Sequence, residues 1–252
     1  MLRFCTLGSG SRGNALLVES GATLVLVDCG LPRRRLEERM RAVGREPADI
    51  TAVLVTHEHG DHTQGINTLQ RRYGLPIAMT AGTATMIAYA GEYRRIRSDS
   101  ELTIGSISVM PFTVPHDARE PVQFTFTANK RKLGVLTDTG HITKHVASHL
   151  GGCHGLAVEF NHDLPSLHDG PYPESVKERV ASHVGHLNND QSVGLLERVG
   201  HAELEWIVGL HVSEQNNTRR LISERVATVL PTQHCELEIA EQNTPTAWRT
   251  LD

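Results

Sequence analysis

Aromatic residues are scarce in this chain: Phe, Trp and Tyr together make up 4% of its 252 residues. The interior must therefore be built mainly from Val, Leu, Ile and Ala, and ring stacking offers little grip on single-stranded nucleic acid. Cysteine is sparse as well. Cys5, Cys29, Cys153 and Cys235 are scattered, with no C-x-x-C pair, the pattern of reduced thiols in a cytosolic protein, some of them core filler. No run approaches the ~20 apolar residues that a membrane span requires. The formal net charge is −4, so there is no global basic footprint for nucleic acid, and a polyanionic substrate would have to be met by local patches or by metal. Near the start, Arg3 is followed by "CTLGSGSRGNA", which supplies no apolar stretch of the secretory kind. The expected location is the cytoplasm.

Histidine, by contrast, is abundant, with 15 copies. The length suits one large α/β domain or two small ones. "ALLVES" (residues 15–20) and "TLVLVDCG" (23–30) read as strands separated by Gly21. "LPRRRLEERMRAVG" (31–44) has Leu36, Met40 and Val43 at helical spacing and ends in glycine. "ITAVLVT" (50–56) is a continuous apolar run, as in a strand buried on both faces. Residues 63–74 return to helix, "PIAMT" (76–80) reads as a strand, and a helix is expected around 83–91. Residues 101–126 read as strands with turns at Gly105 and around 115–121. "KLGVLTDTG" (132–140) is a further strand. The remainder alternates: "GLAVEF" strand, "PESVKERVASH" and "NNDQSVGLLERV" helices, "LEWIVGLHV" strand, "NNTRRLISERVATVL" helix. No repeat or linker interrupts these two β-then-α halves. The expectation is one domain over 1–252, with two packed sheets and helices outside.

The densest chemistry follows the apolar run 50–56. "HEHGDH" puts His57, His59, Asp61 and His62 within six positions. Imidazoles and a carboxylate are the usual ligands of Zn, Mn or Fe. In extended chain, 57 and 59 face the same way, and Asp61 and His62 one turn later can face a second ion. Such a pair of ions can clamp the attacking and leaving oxygens of a hydrolytic displacement. Grouped after a buried strand, these side chains would lose hydration without compensation unless something binds them. Further donors stand at later strand ends: His116 in "VPHDA", Asp138 in "LTDTG" and His211 in "GLHVS". Singly, a strand-end histidine also serves as a hydrogen-bonded structural group, and an Asp before Thr-Gly serves as a turn residue. Their shared context with the cluster favours the metal reading.

"THEHGDH" resembles the T-H-x-H-x-D-H signature of the metallo-β-lactamase-fold hydrolases. His116, Asp138 and His211 follow in the order of that family's third-motif histidine, bridging aspartate and last histidine. Asp28 in "LVLVDCG" matches a partner that steadies a ligand. "LGSGSRGNALLVES", "HDAREPVQF", "TDTGH", "EFNHD", "PYPESVKERVASHVGHLNN" and "LHVSEQNN" are similar to the YycJ/WalJ branch, over residues 7 to about 220. The first Asn of "GHLNN" stands where the branch tends to have Ser, and the Phe of "EFNHD" where it tends to have Ala; all seven ligand types are intact. The resemblance implies a four-layer αββα sandwich, two mixed sheets flanked by helices, with a dinuclear site at one edge. It also implies a metal-dependent nuclease, a 5′-to-3′ DNA exonuclease with DNA as partner.

On that basis His57, His59 and His116 would hold one ion, Asp61, His62 and His211 the second, and Asp138 would bridge both. Two cations lower the pKa of a water between them, and Asp61 could take its proton. His186 in "GHLNND" resembles the histidine that protonates the leaving group in the tRNA 3′-processing branch, and Glu159 its supporting glutamate. His162 is a competitor for that role. "YRRIR" (93–97) and "NKRKL" (129–133) are local basic patches that could hold phosphates. The alternative function is a phosphodiesterase for a small cyclic or nucleotide substrate. A lactamase is disfavoured by Asp61 where a cysteine would be expected, and a non-catalytic relative by the complete ligand set. Metal identity, direction of digestion and oligomeric state are not legible here.

Overall fold

The computed structural model describes residues 1–252 apart from 231 and 233. In the first half the chain runs β1 (Leu2–Gly8), β2 (Ala15–Ser20), β3 (Thr23–Val27), α1 (Arg33–Ala42), β4 (Ala52–Leu54), α2 (Gly60–Thr63), α3 (Ile66–Tyr73), β5 (Ile77–Met79), α4 (Ala81–Met86) and β6 (Arg94–Arg95). It continues through β7 (Leu102–Ile104), β8 (Ile107–Thr113), β9 (Val122–Ala128), β10 (Arg131–Leu136), α5 (Lys144–Leu150) and β11 (Gly155–Glu159). There follow α6 (Leu164–Asp169), α7 (Glu174–Val180), α8 (Asn189–Val199), β12 (Trp206–Leu210), α9 (Arg219–Val226), β13 (Glu236–Ile239) and β14 (Arg249–Leu251).

Two seven-stranded sheets result, ordered β14-β1-β2-β3-β4-β5-β6 and β13-β12-β11-β10-β9-β8-β7. Each is mixed. The β3-β4-β5-β6 ladder is parallel and the β14-β1-β2-β3 part antiparallel. In the second sheet β10-β11-β12-β13 is parallel and β7-β8-β9-β10 antiparallel. The inner faces pack together through Leu2, Phe4, Val18, Val25, Leu54, Phe124, Val135 and Val208. Outside the first sheet, Leu36, Met40 and Leu69 of α1 and α3 cover Val53 and Leu26. Outside the second, Leu150, Leu195 and Ile222 of α5, α8 and α9 cover Leu156 and Val158. This is the expected four-layer sandwich. All five phenylalanines lie wholly buried, each contributing roughly 1.5–3 kcal/mol through burial, and aliphatics fill the rest. The cysteines are free and buried; burial pushes the Cys29 and Cys153 thiols up to about 12, so neither is a nucleophile at neutral pH.

One expectation shifts, and β1 and α5 stand where no element was expected. The strand β1 begins the first sheet although its sequence carries no alternation, since both its faces are covered and only Arg3 is partly exposed. The helix expected over 83–91 is displaced to 81–86, and Ala88 at φ 49° cannot continue it. The helix α5 was unread because histidines occupy part of its pattern; its buried residues are Val146, Ala147 and Leu150. Among the described residues, no helix is long and apolar enough to cross a membrane.

Candidate metal centre

The C-terminal ends of parallel strands from both sheets meet at one edge of the sandwich. Asp28 follows β3, His57 follows β4, Asp138 follows β10, Glu159 ends β11 and His211 follows β12. Asp28, Asp138 and His211 all adopt positive φ, 60°, 47° and 51°. Left-handed backbone costs a non-glycine residue about 1–2 kcal/mol, and here it turns each side chain from the strand into the site.

His57, His59 and His116 converge. His57 Nε2 lies 3.0 Å from His59 Nδ1, and His116 Nε2 lies 3.2 Å from the same atom. The other nitrogens are engaged: His57 Nδ1 with Thr56 Oγ1 at 2.9 Å and His116 Nδ1 with the Gly185 carbonyl at 3.1 Å. Rings that donate from Nδ1 present bare lone pairs at Nε2. Three imidazole nitrogens within hydrogen-bond distance then share at most one proton, supplied by His59. A cation satisfies all three, and tetrahedral zinc with ligands at ~2.0–2.1 Å accommodates nitrogen separations of this size.

The second group lies beside it. His62 Nε2 is 2.7 Å from Asp138 Oδ2, and Asp61 Oδ2 stands 3.5 Å from both His62 Nε2 and His211 Nε2. His211 Nε2 is buried and makes no well-formed hydrogen bond, the Asp61 carboxylate at 3.5 Å being its nearest acceptor, and a cation between the two would satisfy both. His211 Nδ1 approaches Asp138 Oδ1 at 2.6 Å and Glu159 Oε1 at 3.3 Å. His62 Nδ1 contacts Asp28 Oδ2 at 2.7 Å, and Asp28 also accepts from the Thr56 amide at 2.8 Å. This carboxylate fixes the ring with Nε2 toward the centre. The donor atoms of His57, His62 and Asp138 fall within 4.8 Å of one another, as do those of the three converging histidines. The seven residues singled out in the sequence are thus adjacent, with Asp138 on the side of both groups.

Charge explains the protonation. Burial pushes His57 well below the usual imidazole range and lowers His116 too. Burial also opposes charge on His62 and His211, but the surrounding carboxylates together outweigh it, Asp138 and Asp28 for His62 and Asp138, Asp61 and Glu159 for His211, and both lie well above that range. Burial would raise Asp138, yet His211 and His62 hold it well below the carboxylate range. These protons occupy the place of metal charge and would leave when cations bind.

His186 Nδ1 lies 2.7 Å from Glu159 Oε1 and 3.2 Å from Asp138 Oδ1. Glu159 is fully buried, and its Oε2 accepts from the Leu187 and Thr139 amides at 2.9 and 3.2 Å. Against burial, Glu159 and Asp138 push His186 up to about 9, while His186 holds Glu159 at about 2. His162 differs: burial lowers it to about 4, so it is neutral at pH 7.

A cleft opens over the centre, lined by His59, Asp61, His186 and His211 together with Tyr172, Val176 and Arg179. Arg179 Nε pairs with Asp117 Oδ2 at 2.7 Å. The sequence reading missed Tyr172 and Arg179; a lone aromatic and an arginine on an amphipathic helix carry no local signal. It also missed Asn14, whose Nδ2 lies 3.1 Å from His62 Nε2, although "GSGSRGN" hinted at a tight loop. Gly30 is required there: a Cβ would sit 1.6 Å from the Asp61 carbonyl oxygen. The patch at 129–133 lies at the start of β10, six residues and ~20 Å of strand from the Asp138 end, so it does not line the cleft.

A family model described as "Beta-lactamase superfamily domain" matches residues 23–208. Exodeoxyribonuclease YycJ of Bacillus anthracis is 35% identical over 237 residues, covering 91% of this chain and 89% of that protein. Exodeoxyribonuclease WalJ of Streptococcus pneumoniae serotype 2 is 30% identical, covering 87% and 84%. The crystal structure of the metallo-β-lactamase fold protein YhfI from Bacillus subtilis superposes with a TM-score of 0.77 at 17% identity, covering 97% of this chain and 98% of that one. The chain therefore belongs to the beta-lactamase superfamily and, within it, to the branch of the YycJ and WalJ proteins.

Proposed function

We propose that this protein is a 5′-to-3′ DNA exonuclease working through two divalent cations, zinc or manganese, with iron compatible with the same donors. Family membership makes it a metal-dependent hydrolase; the names of YycJ and WalJ support DNA as the substrate. The observation that carries the reading is the pairing, in one cleft, of two donor groups flanking Asp138 with a carboxylate-bound histidine, His186.

His57, His59 and His116 would hold one cation, and Asp61, His62 and His211 the other, with Asp138 shared. Bound there, the cations supply Lewis acidity to the phosphodiester and acidify solvent. Asp61, the most exposed of the carboxylates in this centre, accepts the proton of the attacking water through its free oxygen. Water adds to phosphorus as the bond to the 3′-oxygen of the departing nucleotide breaks. The Glu159 carboxylate favours the protonated form of His186, and with Nδ1 tied to it Nε2 is the nitrogen left to protonate that oxygen. Arg179 keeps guanidinium donors beyond its bond to Asp117 and can hold a phosphate oxygen at the cleft wall.

The test offers metal-loaded enzyme 5′-phosphorylated duplex DNA, single-stranded DNA, RNA and bis-p-nitrophenyl phosphate. Nucleotide release from the DNA 5′ end is expected, and His186→Ala should cut turnover roughly 10²–10⁴-fold with metal retained. Hydrolysis of the small diester alone would favour the small-molecule phosphodiesterase, RNA alone would remove DNA, and no hydrolysis with any metal would end the enzymatic reading.

A further inference from the structure

Away from the cleft, a second cluster brings together residues far apart in the chain. Asp99 lies in the loop between β6 and β7; His145 and His149 lie one turn apart on α5. Asp99 Oδ1 is 3.3 Å from His145 Nε2 and 3.0 Å from His149 Nε2. All three ligand atoms fall within 4.8 Å of one another. His145 Nε2 is buried and has no hydrogen-bond partner. The function described above uses none of these residues.

The helix and the loop that carry the cluster are each anchored. Val146, Ala147 and Leu150 anchor α5 in the outer core, and Thr143 caps it by accepting from the Val146 amide at 3.1 Å. The His149 ring stacks on Phe112 with centroids 4.9 Å apart and planes 7° apart, which fixes where its Nε2 points. The Asp99 amide donates to the Pro111 carbonyl at 2.8 Å, and Asp99 Oδ2 accepts from Ser98 Oγ at 3.0 Å, leaving Oδ1 for the histidines. Histidines at i and i+4 share one helix face. Ligands at ~2.0–2.2 Å from tetrahedral zinc lie about 3.3–3.5 Å apart, close to the spacings seen. Two imidazoles and one carboxylate favour zinc-class transition ions over magnesium or calcium. Asp99 is half exposed, so a fourth, solvent position stays accessible.

We propose that Asp99, His145 and His149 form a peripheral site for a zinc-class divalent ion, separate from the catalytic centre, that clasps the 97–101 loop to α5. The test compares wild type with His145→Ala and Asp99→Asn, all with the main centre loaded. Each is titrated with Zn²⁺, passed through a desalting column and analysed for ions per chain. Wild type is expected to retain one more ion than either variant, with at least a tenfold weaker apparent affinity in the variants. It should also show a Zn²⁺-dependent rise in Tm that both lack, with phosphodiester hydrolysis equal in all three. The count is a difference, so it reads the same whether or not the main centre takes two ions. Equal ion counts and equal Tm responses in the three proteins would overturn the site and leave one ordinary histidine–aspartate hydrogen bond, between His149 and Asp99. Loss of hydrolysis in both variants would overturn its separateness.

Discussion

The two ends of the sandwich handle tight turns differently. Where strands begin, the chain turns mostly on glycine: Gly21, Gly44, Gly74 and Gly152 take positive φ with open space where a Cβ would stand, while the β9–β10 turn uses Asn129 and Lys130 at φ 51° and 65°. Where the parallel strands end, the same left-handed backbone is occupied by Asp28, Asp138 and His211. Glycine would relieve the strain there at the expense of every donor. Buried polar atoms divide the same way. At the far end Glu19 is paired with Arg3 and Arg45, at 2.5 Å and 2.6 Å. At the site end His211 Nε2 makes no well-formed hydrogen bond. One end carries a satisfied ion-pair network; the other holds left-handed backbone and a buried atom without a hydrogen-bond partner, the usual condition of a functional centre.

The largest break in this contrast is expected from Asp138→Ala. Removing the shared carboxylate should cut phosphodiester turnover roughly 10³-fold or more, since metal-assisted charge stabilisation supplies several kcal/mol, and should lower the ions retained per chain by elemental analysis. Unchanged turnover and metal content would remove Asp138 from the centre. Next comes Gly30→Ala, whose Cβ must displace the Asp61 carbonyl. Chemical denaturation should show a loss of more than ~3 kcal/mol, with metal affinity falling in parallel.

Glu19→Gln probes the far end. Its two arginines hold the Glu19 carboxyl below the usual range against burial. A depressed folded pKa contributes stability above the unfolded pKa of ~4.3 that is lost as pH falls through the folded value. The variant should therefore be about 1.5–3 kcal/mol less stable at pH 7, with the gap closing under acid and turnover unchanged. A gap that persisted below both pKa values would assign the loss to packing. The smallest effect is Gly21→Ala, with no clash but φ 59°, expected to cost about 1–2 kcal/mol and nothing in metal binding. Equal losses at Gly21 and Gly30 would erase the distinction between the ends.

Much of the candidate centre was legible because its chemistry is locally dense. "HEHGDH" after an apolar strand, and isolated donors after "FTVP", "GVLT" and "WIVGL", are readable one segment at a time, since a buried strand must expose its next polar residue. Asn14, Thr56, Tyr172 and Arg179 were not readable, since each acts only through a neighbour remote in sequence. The peripheral cluster was hidden for the same reason: Asp99 sits 46 and 50 residues from its histidines, and nothing local marks it.

The sequence by itself determined which donors exist, that aliphatics build the interior, and that polar residues stand at strand ends. These follow from side-chain chemistry and short-range periodicity. Only the tertiary structure decided that β3 and β4 of one sheet would face β10, β11 and β12 of the other at a common edge, and that His59 would offer Nδ1 where His57 and His116 offer Nε2. Pairing and packing set distances between residues a hundred positions apart, and no local pattern encodes a distance of that kind.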